Sequence, residues 1–174
     1  MLEIPSYFQR LYTAAQIDGR VGELAAEIAR DYAGRKVHLV CVMRGATVFL
    51  SDLVRKLELE VTYDYIAVHS YESTSSSGIV RLTKDLDENV ESRHVIVVED
   101  IIDSGLTLNY IKENLQSRKP ASLALCTLLD RPHRRKIDLK LDYVGYQIPD
   151  KFVVGYGLDF EQQWRQLPDI WAIN

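Results

Sequence analysis

The chain has 174 residues, of which 47% are hydrophobic and 26% charged, with a formal net charge of −4. That length fits one domain with ample apolar material for a core, and the acidic balance argues against a chain whose main work is coating nucleic acid. No uncharged apolar stretch approaches roughly 18 residues, and residues 1–6 lack both a basic n-region and an apolar h-region, so the expectation is a cytoplasmic protein without a membrane partner.

In chain order, Ile17, Val21, Leu24 and Ile28 follow helical steps and predict a helix over 14–32, with Gly34 placed to end it. Val37–Met43 is an apolar run of strand type. Arg44-Gly45-Ala46 then reads as a turn, and the apolar positions Val48, Leu50, Leu53, Val54 and Leu57 predict a helix over 47–57. A strand is expected over 61–68, followed by a serine-rich loop over 70–78 with almost nothing apolar to bury. Further on, residues 95–98 form a β-branched strand, Leu108, Ile111 and Leu115 mark a helix, and 121–129 is again strand-like. Short strands are expected at 143–148 and 152–156, separated by Pro149-Asp150. Alternation of strand and helix implies an α/β fold in which ligands bind beyond the carboxyl ends of parallel strands. Cys41 and Cys126 sit in apolar runs without CxxC spacing and read as buried free thiols. His38, His69, His94 and His133 have no metal-ligand spacing.

The densest chemistry lies at 95–108, Val-Ile-Val-Val-Glu-Asp-Ile-Ile-Asp-Ser-Gly-Leu-Thr-Leu. An apolar strand runs into three carboxylates, a small polar turn and a helix whose first N–H groups lack intrahelical partners, which is a ready phosphate site. Carboxylates beside a bound phosphate repel it unless a metal ion or a cationic reaction centre intervenes. Neither GxxxxGK[ST] nor a GxGxxG after a strand is present, so another phosphate-binding class is required.

Residues 97–107 closely resemble the phosphoribosyl-pyrophosphate signature of the type I phosphoribosyltransferases. Residues 148–160, Ile-Pro-Asp-Lys-Phe-Val-Val-Gly-Tyr-Gly-Leu-Asp-Phe, resemble the purine-binding segment of the hypoxanthine–guanine phosphoribosyltransferases, and Met43-Arg44-Gly45 and Ser70-Tyr71 match the same family. The resemblance implies a single phosphoribosyltransferase domain over 1–174. Its core, roughly 34–145, would be a mainly parallel sheet flanked by helices, with a small hood formed by the terminal segments. It further implies a purine-salvage enzyme that joins hypoxanthine or guanine to ribose 5-phosphate at C1, giving IMP or GMP and pyrophosphate, through a transition state of oxocarbenium character. Magnesium is the implied cofactor, and a homodimer or homotetramer the implied assembly.

The same resemblance assigns roles. Glu99 and Asp100 would face the ribose hydroxyls and approach magnesium, and Asp159 would help bind a second magnesium. Asp103 would be the general base near purine N7, although an Asp before Ser-Gly could instead cap the helix. Ser104, Gly105, Leu106, Thr107 and Leu108 would form the 5′-phosphate cradle; Ser104 stands where most members carry threonine, and keeps the hydroxyl. Arg44 and Gly45 would bind pyrophosphate, after a Met43–Arg44 peptide that can be cis in this family, and Arg165 would reach the same group. Phe152 would stack on the purine, Val153 would offer backbone groups to its edge, and Lys151 would orient its neighbours or stand as a solvated charge beside Asp150. Ser70 and Tyr71 would head a loop that folds over the site and excludes water. Where the family usually has lysine donating to the purine 6-oxo group, this chain has Arg131, a planar and longer cation. The alternatives are a nucleotide-sensing RNA- or DNA-binding regulator on the same scaffold, and a related transferase acting on xanthine, adenine or a pyrimidine.

Overall fold

The computed structural model describes residues 3–71 and 79–173. β2 (Val37–Met43), β3 (Val61–Tyr71), β5 (His94–Ile102), β6 (Ser122–Asp130) and β7 (Tyr143–Gln147) run parallel in one sheet. β4 (Ile79–Lys84) joins antiparallel at one edge, giving the order β4-β3-β2-β5-β6-β7. Strict alternation divides the central strands between two layers. Ile96 and Val98 of β5 pack with α1 (Ala14–Asp31) and α2 (Ala46–Lys56), whereas Val95 and Val97 pack with α3 (Leu106–Ser117). Burial on both faces is why these strands read as continuous apolar runs.

α1 begins with a capping box in which Thr13 Oγ1 accepts from the Gln16 amide at 3.3 Å while Gln16 Oε1 accepts from the Thr13 amide at 2.9 Å. Its predicted apolar face, Ile17, Val21, Leu24 and Ile28, is fully buried. The helix after β2 starts one residue earlier than its apolar spacing predicts, at Ala46. Cys41 and Cys126 are buried and free, as expected.

One feature departs from the sequence expectations. β3 runs on through Ser70 and Tyr71, which the sequence assigns to a loop, because β4 pairs with it from Ala67 to Tyr71. The remainder of that loop, 72–78, lies outside the described residues. As implied for the terminal segments, β8 (Phe152–Val154) stands apart from the main sheet: it pairs antiparallel with β9 (Ile170–Ile173), which pairs in turn with β1 (Phe8–Tyr12). The N-terminal and C-terminal segments thus build a three-stranded hood over the strand ends, around Phe8, Val154, Leu167 and Trp171. No helix among the described residues is long and apolar enough to cross a membrane.

Candidate active site

The parallel strands deliver the expected residues to one end of the sheet. β2 ends at Met43, and the Met43–Arg44 peptide that follows is cis. On the neighbouring strand, Glu99 and Asp100 occupy the last turn of β5 before Ile101 and Ile102. Gly45 is where these two ends meet: a methyl group there would overlap Oδ2 of Asp100. Only glycine permits so close an approach.

Glu99 and Asp100 are half-buried side by side. Burial, followed by the neighbouring Asp100 charge, holds the Glu99 carboxyl well above the usual carboxylate range. Burial also raises Asp100, against hydrogen bonds from Glu99 and the Ile101 amide and the positive charge of Arg165, which lower it. Two hard oxygen ligands that resist sharing negative charge suit a small divalent cation. Magnesium keeps several waters and takes one or two carboxylates plus substrate phosphates, so a two-carboxylate donor set fits it without an all-protein cage. Among the described residues no three His, Cys, Asp or Glu side chains converge as a metal site.

The phosphate-loop geometry follows from Gly105. It adopts a left-handed φ of +81° as the residue before α3, without a side-chain cap bond. Ser104 Oγ accepts from the Leu106 amide at 3.3 Å, and among the described residues no amide of the first turn donates to Asp103, which leaves that carboxylate out of the N-cap role the sequence allowed. Leu106 and Thr107 open the helix, whereas the Leu108 side chain is buried in the core, so only its main chain is left to a phosphate. A cavity of about 250 Å³ is lined by Met43, Glu99, Asp103, Ser104, Gly105 and Thr107 among others.

Asp103, half-exposed, ion-pairs with Arg131: its Oδ1 lies 3.2 Å from Nη1. Arg131 itself is only 3% exposed, and its Nε has no partner among the described residues. The Arg131 amide donates to Ile102 O at 3.0 Å, which fastens this residue to the end of β5. Beside it, the Ile148 amide donates to Asp130 O, and Arg134 pairs with Asp150, so the turn after β6 is tied to the segment entering β8. There Phe152 is 45% exposed, not the core aromatic its valine-rich setting suggests, and meets Phe160 edge-on at 5.6 Å. Val153 is buried, and Lys151 Nζ donates to Gln9 Oε1 at 2.7 Å.

Arg165 reaches the site from the hood connection. Its Nη1 donates to Gly157 O at 2.7 Å and its Nη2 pairs with Asp159 Oδ1 at 2.7 Å. Asp159 also accepts from the Gln162 amide, and so is held apart from the Glu99–Asp100 pair. Ser70 and Tyr71 sit at the same end of the sheet as Arg44 and Glu99, being the last residues of β3.

Two residues carry weight that sequence reasoning did not assign. Gly157 has φ +97°, and a methyl group on it would overlap the Gly45 carbonyl oxygen, so it seats the hood against the Arg44-Gly45 turn. The glycine spacing of Gly155-Tyr156-Gly157 was the available signal. Arg135, paired with the buried Asp130, packs under the phosphate loop, its Cδ 3.2 Å from where a Gly105 side chain would begin. The cationic run 134–136 hinted at it, but only the fold brings it below Gly105.

Residues 9–161 match the model of the phosphoribosyl transferase domain. The hypoxanthine-guanine phosphoribosyltransferase of Mycobacterium avium is 44% identical over 171 residues, covering 94% of this chain and 84% of that protein. The hypoxanthine-guanine-xanthine phosphoribosyltransferase of Tritrichomonas foetus is 44% identical over 161 residues, covering 92% of this chain and 88% of its own length. Among solved structures, a hypoxanthine-guanine phosphoribosyltransferase from Bacillus anthracis superposes with a TM-score of 0.89 at 45% identity, over 95% of this chain and 98% of that one.

Proposed function

The chain belongs to the phosphoribosyl transferase domain family, and from that premise we propose how its residues carry out purine salvage. The enzyme transfers the 5-phosphoribosyl group of phosphoribosyl pyrophosphate to N9 of hypoxanthine or guanine, releasing pyrophosphate and IMP or GMP. The observation that carries the residue roles is the Asp103–Arg131 pair. On a 6-oxopurine protonated at N7, the N7–H donor and the O6 acceptor sit side by side on one edge, suited to a carboxylate and a guanidinium placed side by side. A base placed with N7 at Asp103 therefore presents O6 to Arg131, whose N–H groups donate to it. Adenine offers an amino donor there instead and leaves the buried guanidinium opposed.

As N9 attacks C1 and the bond from C1 to the pyrophosphate oxygen breaks, Asp103 takes the purine proton. Positive charge developing on the ribose is met by Glu99 and Asp100, which are placed to accept from the ribose hydroxyls and to hold magnesium. Magnesium, when bound, offsets the pyrophosphate charge and makes it a better leaving group. The 5′-phosphate rests on the α3 N-terminus at Ser104, Gly105, Leu106, Thr107 and the Leu108 amide, and exposed Phe152 covers the purine face. Arg44, the Gly45 backbone and Arg165 receive the pyrophosphate. Arg165 must first leave Asp159, and the same opening frees the Asp159 carboxylate for a second magnesium.

A base panel of hypoxanthine, guanine, xanthine, adenine and uracil, read by pyrophosphate release with phosphoribosyl pyrophosphate and magnesium, tests this reading. Turnover with hypoxanthine and guanine but not adenine or uracil is expected; turnover with adenine at a comparable rate would overturn the assigned base orientation.

A further inference from the structure

A large cavity lies at the opposite end of the sheet from the site just described. It encloses about 820 Å³ and is lined by the starts of β2, β3 and β5 and the residues leading into them. The parallel register sets Val37 level with both Val61 and His94, so three strand starts form one rim. Onto that rim project Arg35, Lys36 and Arg93.

Within the cavity His38 is only 2% exposed. Its Nδ1 lies 2.8 Å from Thr62 Oγ1 on the neighbouring strand, which fixes the ring, while Nε2 is buried with no partner among the described residues. A ring nitrogen buried at the wall of a cavity and left unpaired is a group awaiting a ligand or a water. Arg93 stands near enough to disfavour a charge on the imidazole, as does burial; Asp64 and Glu88 act in the opposite direction.

The cations are recruitable. Lys36 is paired with Glu60 and Arg93 with Glu88, but both pairs are solvent-exposed and such pairs are weak. Arg35 forms no ion pair among the described residues. A phosphate group offers guanidinium groups a stronger, bidentate partner than these exposed carboxylates do. The volume exceeds what a lone phosphate fills and falls within the roughly 300–1,000 Å³ typical of small-molecule pockets.

We propose that this cleft is a second ligand site, taking a phosphate-bearing molecule of nucleotide size whose phosphates engage Arg35, Lys36 and Arg93 and whose remaining polar groups reach His38 Nε2. The same three strands end in Arg44, Ser70–Tyr71 and the Glu99–Asp103 segment, so the two sites lie at opposite ends of shared strands.

The test follows the imidazole nitrogens of His38 by NMR in the full chain, titrated with ATP, with inorganic phosphate and with sodium chloride of matched ionic strength. With the active site already filled by IMP and magnesium, ATP is expected to move the His38 signals saturably while those of His133, remote from the cavity, stay in place. Inorganic phosphate should act in the same direction about tenfold or more weakly. The double variant Arg35→Glu/Arg93→Glu, altered only at the rim, should weaken ATP binding by about tenfold or more and leave kcat unchanged. Still His38 signals, an equal response to sodium chloride, undiminished ATP binding by the double variant, or equal affinity for phosphate and ATP would each overturn the proposal.

Discussion

Nη1 of Arg131 stands 3.2 Å from Oδ1 of Asp103, at the carboxyl ends of the adjacent parallel strands β6 and β5. One partner is buried and the other half-exposed, so the pair presents an acceptor to a cleft while its cation stays buried. In the proposed reading, a general base and a reader of the purine edge are thereby set side by side, to face the neighbouring N7 and O6 of the substrate.

Removing the reader should change binding selectively. Arg131→Ala is expected to raise KM for hypoxanthine and guanine by about 10–100-fold, the value of one hydrogen bond to a charged group. Arg131→Lys should retain turnover with an altered KM for both bases. Steady-state kinetics check this; if Arg131→Lys changes neither KM, Arg131 does not read the base.

Gly45 is a second point of tight fit. In Gly45→Ala the added methyl overlaps the Asp100 carboxylate, which has to move or rotate. We expect a loss of about 1–3 kcal/mol in stability, read as a drop in Tm of roughly 2–4 °C per kcal/mol, together with a raised KM for phosphoribosyl pyrophosphate. A variant with unchanged Tm and KM would show that the Asp100 position is immaterial.

Glu99 should illustrate function held at the expense of stability. Its folded-state pKa lies above the unfolded one, so the native chain binds the extra proton, and stability falls as pH rises from the ordinary glutamate value of 4.5 through the raised one. Glu99→Gln removes that burden. In chelator-treated protein at neutral pH its Tm should rise by about 2–4 °C, with a shallower fall of Tm with pH, while kcat/KM drops at least about tenfold. A lower Tm would contradict this view of the carboxylate pair.

Much of this arrangement was legible in the chain. The alternation of buried runs with Gly-containing turns gave β2, α2 and β6 to within a residue and located β5 and α3, because strands buried on both faces and helices with one apolar face leave strong local patterns. β4, β1 and β9 left none: Ile79–Lys84 and Phe8–Tyr12 are short, mixed in polarity and held by partners distant in sequence. The same holds within the site. Glu99, Asp103 and Ser104 follow one another along the chain and could be read together, whereas the Asp103–Arg131 pair, the contact of Gly157 with Gly45, and the packing of Arg135 beneath Gly105 exist only once β5, β6 and the hood are assembled. The exposure of Phe152 is a further consequence of the hood, since β8 leaves the sheet whose core would otherwise have covered it.

The most direct measurement is the kinetics of Asp103→Asn with hypoxanthine, phosphoribosyl pyrophosphate and magnesium. Asparagine keeps the size of the side chain and removes its ability to take a proton. The account predicts a fall in kcat of about 10²–10⁴-fold with KM for phosphoribosyl pyrophosphate little changed. A kcat within about threefold of the parent enzyme, far short of the factor expected for general-base catalysis, would contradict it.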